Sequence, residues 1–138
     1  MKRLVLLALA IIVSLSSAFA QKKVFMDLTC WYKTTAGAYY AAQVDYGQTW
    51  SIHLTQSGRN LVNENGNDIH FSSTMQAVNY LVDRGWDLFA VYPNTNPNRK
   101  VSDPEVTYVL YKLINSEEEI TEGFLTKDQY TKQKKEEK

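Results

Sequence analysis

From Val24 to Tyr32 apolar side chains recur at every second position: Val24, Met26, Leu28, Cys30 and Tyr32 fall on one side of the chain, with Asp27, Thr29 and Lys33 among those on the other. A two-residue period is that of a β-strand, whose neighbouring side chains point to opposite faces. The segment is therefore a strand with one buried face. Such a strand needs neighbours for its backbone and a cover for its apolar side, and the rest of the chain is constrained to supply both.

The neighbours are legible by the same period. Thr34-Thr35-Ala36-Gly37 is a turn by composition, and Tyr40, Ala42, Val44 and Tyr46 then alternate as far as Gly47, which predicts a hairpin. Trp50, Ile52 and Leu54 alternate with Ser51, His53 and Thr55, a short third strand before the break at Ser57-Gly58-Arg59-Asn60. Leu61-Val62 and Ile69-His70-Phe71 flank Glu64-Asn65-Gly66-Asn67. Asn-Gly is the signal of a tight hairpin turn with positive φ at both central residues, so a second hairpin is expected.

The cover is a single helix. Ser73 and Gln76 have the spacing of a capping box, and Gly85 can take the left-handed position past the end. Met75, Val78, Leu81 and Val82 form the expected buried stripe, with Asn79 and Asp83 opposite. Trp86 to Val91 is apolar on both faces, the pattern of a central strand between helix and sheet. Residues 92–100 form a loop that Pro104 ends, and Val106, Tyr108, Leu110 and Lys112 alternate with Thr107, Val109, Tyr111 and Leu113 in a last strand. The expected fold is α+β: a mainly antiparallel sheet with one principal helix packed on it.

Both ends depart from this pattern. Lys2 and Arg3, the apolar run from Leu4 to Val13 and the small-residue exit Ala18-Phe19-Ala20 are the three parts of a secretory leader, with cleavage expected between Ala20 and Gln21. The apolar run is shorter than the roughly 17 to 25 residues of a membrane-spanning helix, so no membrane span is expected after cleavage. Residues 21–115 then form a single domain, and residues 116–138, opening on Glu117-Glu118-Glu119 and ending in a Lys/Glu run, read as a charged tail, disordered or partly helical from Thr126. Cys30 is the only cysteine, so packing rather than an internal disulfide has to hold the domain. Residues 21–114 carry eight basic and eight acidic side chains, which leaves no charge excess for nucleic acid.

The run Phe71-Ser72-Ser73-Thr74-Met75-Gln76-Ala77-Val78-Asn79-Tyr80-Leu81, followed by Gly85-Trp86-Asp87-Leu88 and the Tyr-containing strand at 106–112, resembles the small uncharacterised domains of the DUF4177-like group. Val44-Asp45-Tyr46-Gly47-Gln48 and Asn63-Glu64-Asn65-Gly66 look like motifs of its Bacteroidetes versions. The resemblance covers residues 23–114 and implies the fold and a Gram-negative source. The group has no agreed activity, so it implies no catalytic residue.

Few residues are suited to chemistry. Asp68 and His70, two apart on an expected strand, share a face, and a carboxylate beside an imidazole is the arrangement of a general base. No Gly-x-Ser-x-Gly elbow accompanies them. His53 and His70 are too few for a zinc site without further ligands, and the glycines are scattered at turns rather than gathered in a phosphate loop. No catalytic, cofactor-binding or metal-ligating residue is assigned, and no cofactor is expected. Aromatic side chains are more numerous than a helix–sheet interface absorbs. Trp31, Trp86 and Phe89 are expected in the core, with Tyr39 and Trp50 as candidates for an exposed aromatic surface. The expected function is a non-catalytic interaction domain of the bacterial envelope, periplasmic or secreted, that uses a sheet edge or aromatic patch to bind an envelope protein or itself. The alternative is a small hydrolase or lyase built on His70 and Asp68.

Overall fold

The computed structural model describes residues 21–35, 37–48 and 56–137. The leader, the third strand expected around Trp50, Ile52 and Leu54, and His53 lie outside them. In chain order the elements are β1 (Lys22–Lys33), β2 (Tyr39–Asp45), a 3-10 turn (Gln56–Arg59), β3 (Leu61–Val62), α1 (Thr74–Val82), β4 (Asp87–Pro93), β5 (Val106–Ile114), a second 3-10 turn (Glu117–Thr121), β6 (Leu125–Thr126) and α2 (Lys127–Glu136). The fold is α+β. Four strands form an antiparallel sheet in the order β2-β1-β5-β4, and β3 pairs with β6 in a small second sheet.

The alternation in β1 sets the layers. Val24, Met26, Leu28 and Cys30 are buried on one face with Ala42 and Val44 of β2 and Tyr108 and Leu110 of β5. Over that inner face lie Ala77, Val78 and Leu81 of α1, and Trp86. The helix starts and stops as its caps dictate: the Ser73 hydroxyl accepts from the Gln76 N–H at 3.1 Å. The Gln76 side chain accepts from the N–H of Ser72 rather than of Ser73, so only half of the expected box closes. At the other end Gly85 has φ +86°, its N–H bonds to the Val82 carbonyl, and the Trp86 N–H bonds to that of Leu81. This is the Schellman pattern. The buried stripe is narrower than the sequence suggested. Met75 and Val82 are exposed and Ala77 is buried, because a small side chain lets the helix sit close to the sheet.

Three further expectations are corrected. The Asn65-Gly66 turn has positive φ at Gly66 alone. Asn63 closes it: its carbonyl accepts from the Gly66 N–H, and its side chain accepts from the N–H groups of Asn65 and Asn67. The hairpin beyond it is reduced to a bridge between Val62 and Asp68, with bonds from the Asn63 N–H to the Asn67 carbonyl and from the Ile69 N–H to the Leu61 carbonyl. β4 lies at the edge of the sheet, because β5 takes the place beside β1. The folded unit also continues past residue 115. Ile120, Phe124 and Thr126 are buried, β6 pairs with β3, and Thr126 opens α2 with a full capping box. Lys127 donates to the Gly66 carbonyl, and Tyr130 lies against Gly66, where a side chain would leave no room for its ring.

Candidate interaction face

The sheet's outer face carries the side chains that the inner face does not use. On β1 these include Phe25, Asp27, Thr29 and Trp31, and on β5 they include Tyr111 and Leu113. β4 adds to them through an irregularity. Leu88 pairs with Leu110, but Ala90 pairs with Val109, so a bulge falls at Phe89. A bulge places an extra residue in one strand, and here Phe89 joins Phe25 and Tyr111. Ring centroids are 5.3 Å apart for Phe25 and Phe89, and 6.3 Å for each of them with Tyr111. The Lys23 ammonium sits 4.7 Å above the Tyr111 ring.

Large apolar side chains here are in contact with water, Phe25 46%, Phe89 59%, Tyr92 57% and Leu113 47% exposed, while Leu88 at 44% and Val91 at 47% are exposed along β4 on the other side of the sheet, paired with Leu110 and Tyr108. Phe89, expected in the core, is thus on the surface, whereas Trp86 is fully buried and Trp31 half-buried. The two edges of the sheet differ in a further way. β2 is bridged on its outer side by Phe71 at Tyr40 and by Asn60 at Gln43, while β4 has no partner but β5 among the described residues. An uncovered edge presents unpaired N–H and carbonyl groups that another strand can complete.

At the opposite side of the outer face is a polar corner. Trp31 Nε1 donates to Gln43 Oε1 at 3.1 Å, Gln43 Nε2 to Asn60 Oδ1 at 2.9 Å, and Asn60 Nδ2 to Asp68 Oδ1 at 2.9 Å. Asp27 and Asp45 face each other across β1 and β2, and Arg59 bonds Asp45. Burial, and then the Asp45 charge, push the Asp27 carboxyl above its ordinary value of 3.8. A carboxyl raised in the folded state stabilises the fold below that value, and the contribution is lost as pH climbs through the folded-state pKa. Asp27→Asn is therefore expected to raise the melting temperature at pH 7 and to leave it unchanged at pH 3. The gain should be under about 1 kcal/mol, because the group is largely solvated. An equal shift at both pH values in thermal melts would refute the cost of holding the Asp27 charge in this partly buried place beside Asp45.

The structure brings Asp68 and His70 to one open depression of about 520 Å³ with Tyr39, Asn63 and Asn67, without joining them. The Asp68 carboxylate accepts from Asn60, and the His70 ring is stacked on Tyr39, with centroids 3.7 Å apart and planes at 18°. An imidazole acting as a base is normally oriented by a hydrogen bond to its other nitrogen. Here a flat ring contact with Tyr39 orients it. Tyr39, named from the sequence as a surface aromatic, fills that part, while Trp50 and His53 fall outside the described residues. Cys30 lines a second cavity, of about 450 Å³, with Tyr32, Tyr40, Thr74 and Tyr108 among its walls. Burial pushes its thiol up to about 12, so it is protonated at neutral pH and is no nucleophile. Among the described residues no cluster of three or more His, Cys, Asp or Glu side chains is placed to hold a metal ion. No described helix is long and apolar enough to cross a membrane.

The apolar residues on both faces of Trp86 to Val91, which predict a buried central strand, belong to a strand at the edge of the sheet. No family model, curated protein or solved structure matches this chain.

Proposed function

We propose that the chain is an exported, non-catalytic interaction domain of the bacterial envelope that binds another protein chain along β4. The observation that supports it most is the coincidence of an unpaired strand edge with Leu88, Phe89, Val91 and Tyr92 exposed along it. Edge strands in isolated domains are normally protected by charge, proline or shortness. β4 has one charge, at Asp87, and its proline stands at the last position, Pro93. Strand addition to such an edge takes affinity from main-chain hydrogen bonds and selectivity from alternate side chains. Leader-directed export and the DUF4177-like resemblance fit this reading and belong to it as proposals.

The test is capture from the host's envelope fraction with the wild-type chain and with a Phe89→Lys, Val91→Lys double variant, identifying what is retained by mass spectrometry. Both positions are exposed, so the variant should keep the wild-type circular dichroism spectrum. A specific protein retained by the wild type and lost at least tenfold from the variant is the expected result. Equal retention by both would place binding elsewhere on the surface. His70→Ala should leave capture unchanged, whereas a hydrolase or lyase centred on His70 would lose its turnover.

A further inference from the structure

Resting on the reading of β4 as the docking edge, we propose that its occupant is a second copy of this chain, paired antiparallel through β4 about a twofold axis. Two four-stranded sheets then become one continuous sheet of eight strands.

The pairing geometry follows from the two edges. β2 is bridged by Phe71 and Asn60, so the main sheet offers one open edge, β4, among the described residues. A surface that pairs with itself about a twofold closes at two copies, whereas two different open edges would propagate into a filament. The charge pattern of β4 selects the direction. Asp87 is its only ionised side chain and stands at the first position. In antiparallel pairing centred on Ala90 the two Asp87 side chains lie at opposite ends, about 20 Å apart at the rise of an antiparallel strand. Parallel pairing would set them side by side. The same arrangement sends both Pro93 residues, which lack an N–H, to the ends of the new ladder.

Side-chain burial sets the strength. At about 200 Å² for a whole aromatic side chain, and less for the aliphatic ones, the exposed fractions of Leu88, Phe89, Val91 and Tyr92 leave on the order of 350 Å² per copy. A standard stable interface buries about 800 Å² per partner. The pair is therefore reversible and populated at high local concentration, such as a periplasm or surface layer provides. Its consequence is a larger face: the Phe25, Phe89 and Tyr111 clusters of both copies fall on the same side of the joined sheet.

Sedimentation equilibrium of the protein expressed from its full coding sequence tests this, over about 1 µM to 1 mM, beside the Phe89→Lys, Val91→Lys variant and a Val91→Lys single variant should the double one fail to fold. The expected result is a mass that rises from one copy to two and stops there, with the Lys variants at one copy throughout. A wild type that stays at one copy overturns the second copy as occupant. In that case the capture experiment still decides the edge reading by its own variants. Doubling that survives in the Lys variants, or a mass that grows beyond two, also overturns the proposal, the first by moving the contact off β4 and the second by opening the assembly.

Discussion

A chain cut after Asn115 melts at least about 10 °C below the full chain, the shift that about 2 to 3 kcal/mol produces in a domain of this size. The sequence presents residues 116–138 as a charged appendage, and their removal would then cost nothing. The structure assigns them a share of the core. Ile120 and Phe124 are 8% and 7% exposed, and burying side chains of this size contributes about 1.5 to 3 kcal/mol each. β6 is the strand paired with β3, and Leu61 and Val62, at 0% and 2% exposure, lose that neighbour with the cut. Two further ties are lost, from Arg84 to the Gly123 carbonyl and from Lys112 to the Glu119 carbonyl. The gain is offset by the entropy of ordering the segment, which keeps the net figure well below the gross one. Thermal melts of the two chains side by side decide it, and coincident transitions would return the segment to the status of a tail.

Trp86→Ala is expected to be the most damaging single substitution, at about 3 to 5 kcal/mol in urea unfolding, the range for truncating a large buried aromatic. Trp86 is fully buried in the core with Val78 and Leu81 of α1 and Leu110 of β5, so truncating its ring opens a cavity between helix and sheet while the backbone bond from its amide to the Leu81 carbonyl is kept. Its indole Nε1 is buried without a hydrogen-bond partner among the described residues. A buried donor left unpaired costs about 1 to 3 kcal/mol. Trp86→Phe removes that donor along with part of the ring volume, so the two effects oppose each other and the net loss should be under about 2 kcal/mol. The contrast between the two variants is the informative quantity. A Phe variant as damaged as the Ala variant would mean that the indole N–H is satisfied.

Much of the fold is written locally. β1, β2 and β5 follow from their two-residue period, and α1 from Ser73 at one end and Gly85 at the other, because alternation and caps act within a few residues. What the sequence concealed depends on contacts between distant segments. Leu88, Phe89, Val91 and Tyr92 would look the same in a central strand and in an exposed edge strand. The difference lies in β5 pairing with β1, a relation between distant segments such as Lys22 with Ile114 and Thr29 with Thr107. The last segment combines both kinds of information. The helix expected from Thr126 is present as α2, while the Lys and Glu residues that dominate the composition hide the burial of Ile120 and Phe124 and the seat of Tyr130 on the bare backbone of Gly66. Asp68 and His70 were correctly placed near each other by their spacing. Their separation by Asn60 on one side and Tyr39 on the other comes from β2 and from the residues before β3, which no local pattern around position 70 reveals.

The most direct test of β4 as the binding edge is amide hydrogen exchange, residue by residue, on the free chain and on the same chain with its captured partner or at the concentration where two copies associate. Outward N–H groups within residues 88–92 should exchange freely in the first state and become protected at least tenfold in the second, while β2 amides do not change. Protection that appears at β2, or around Tyr39 and His70, with β4 unchanged would contradict it.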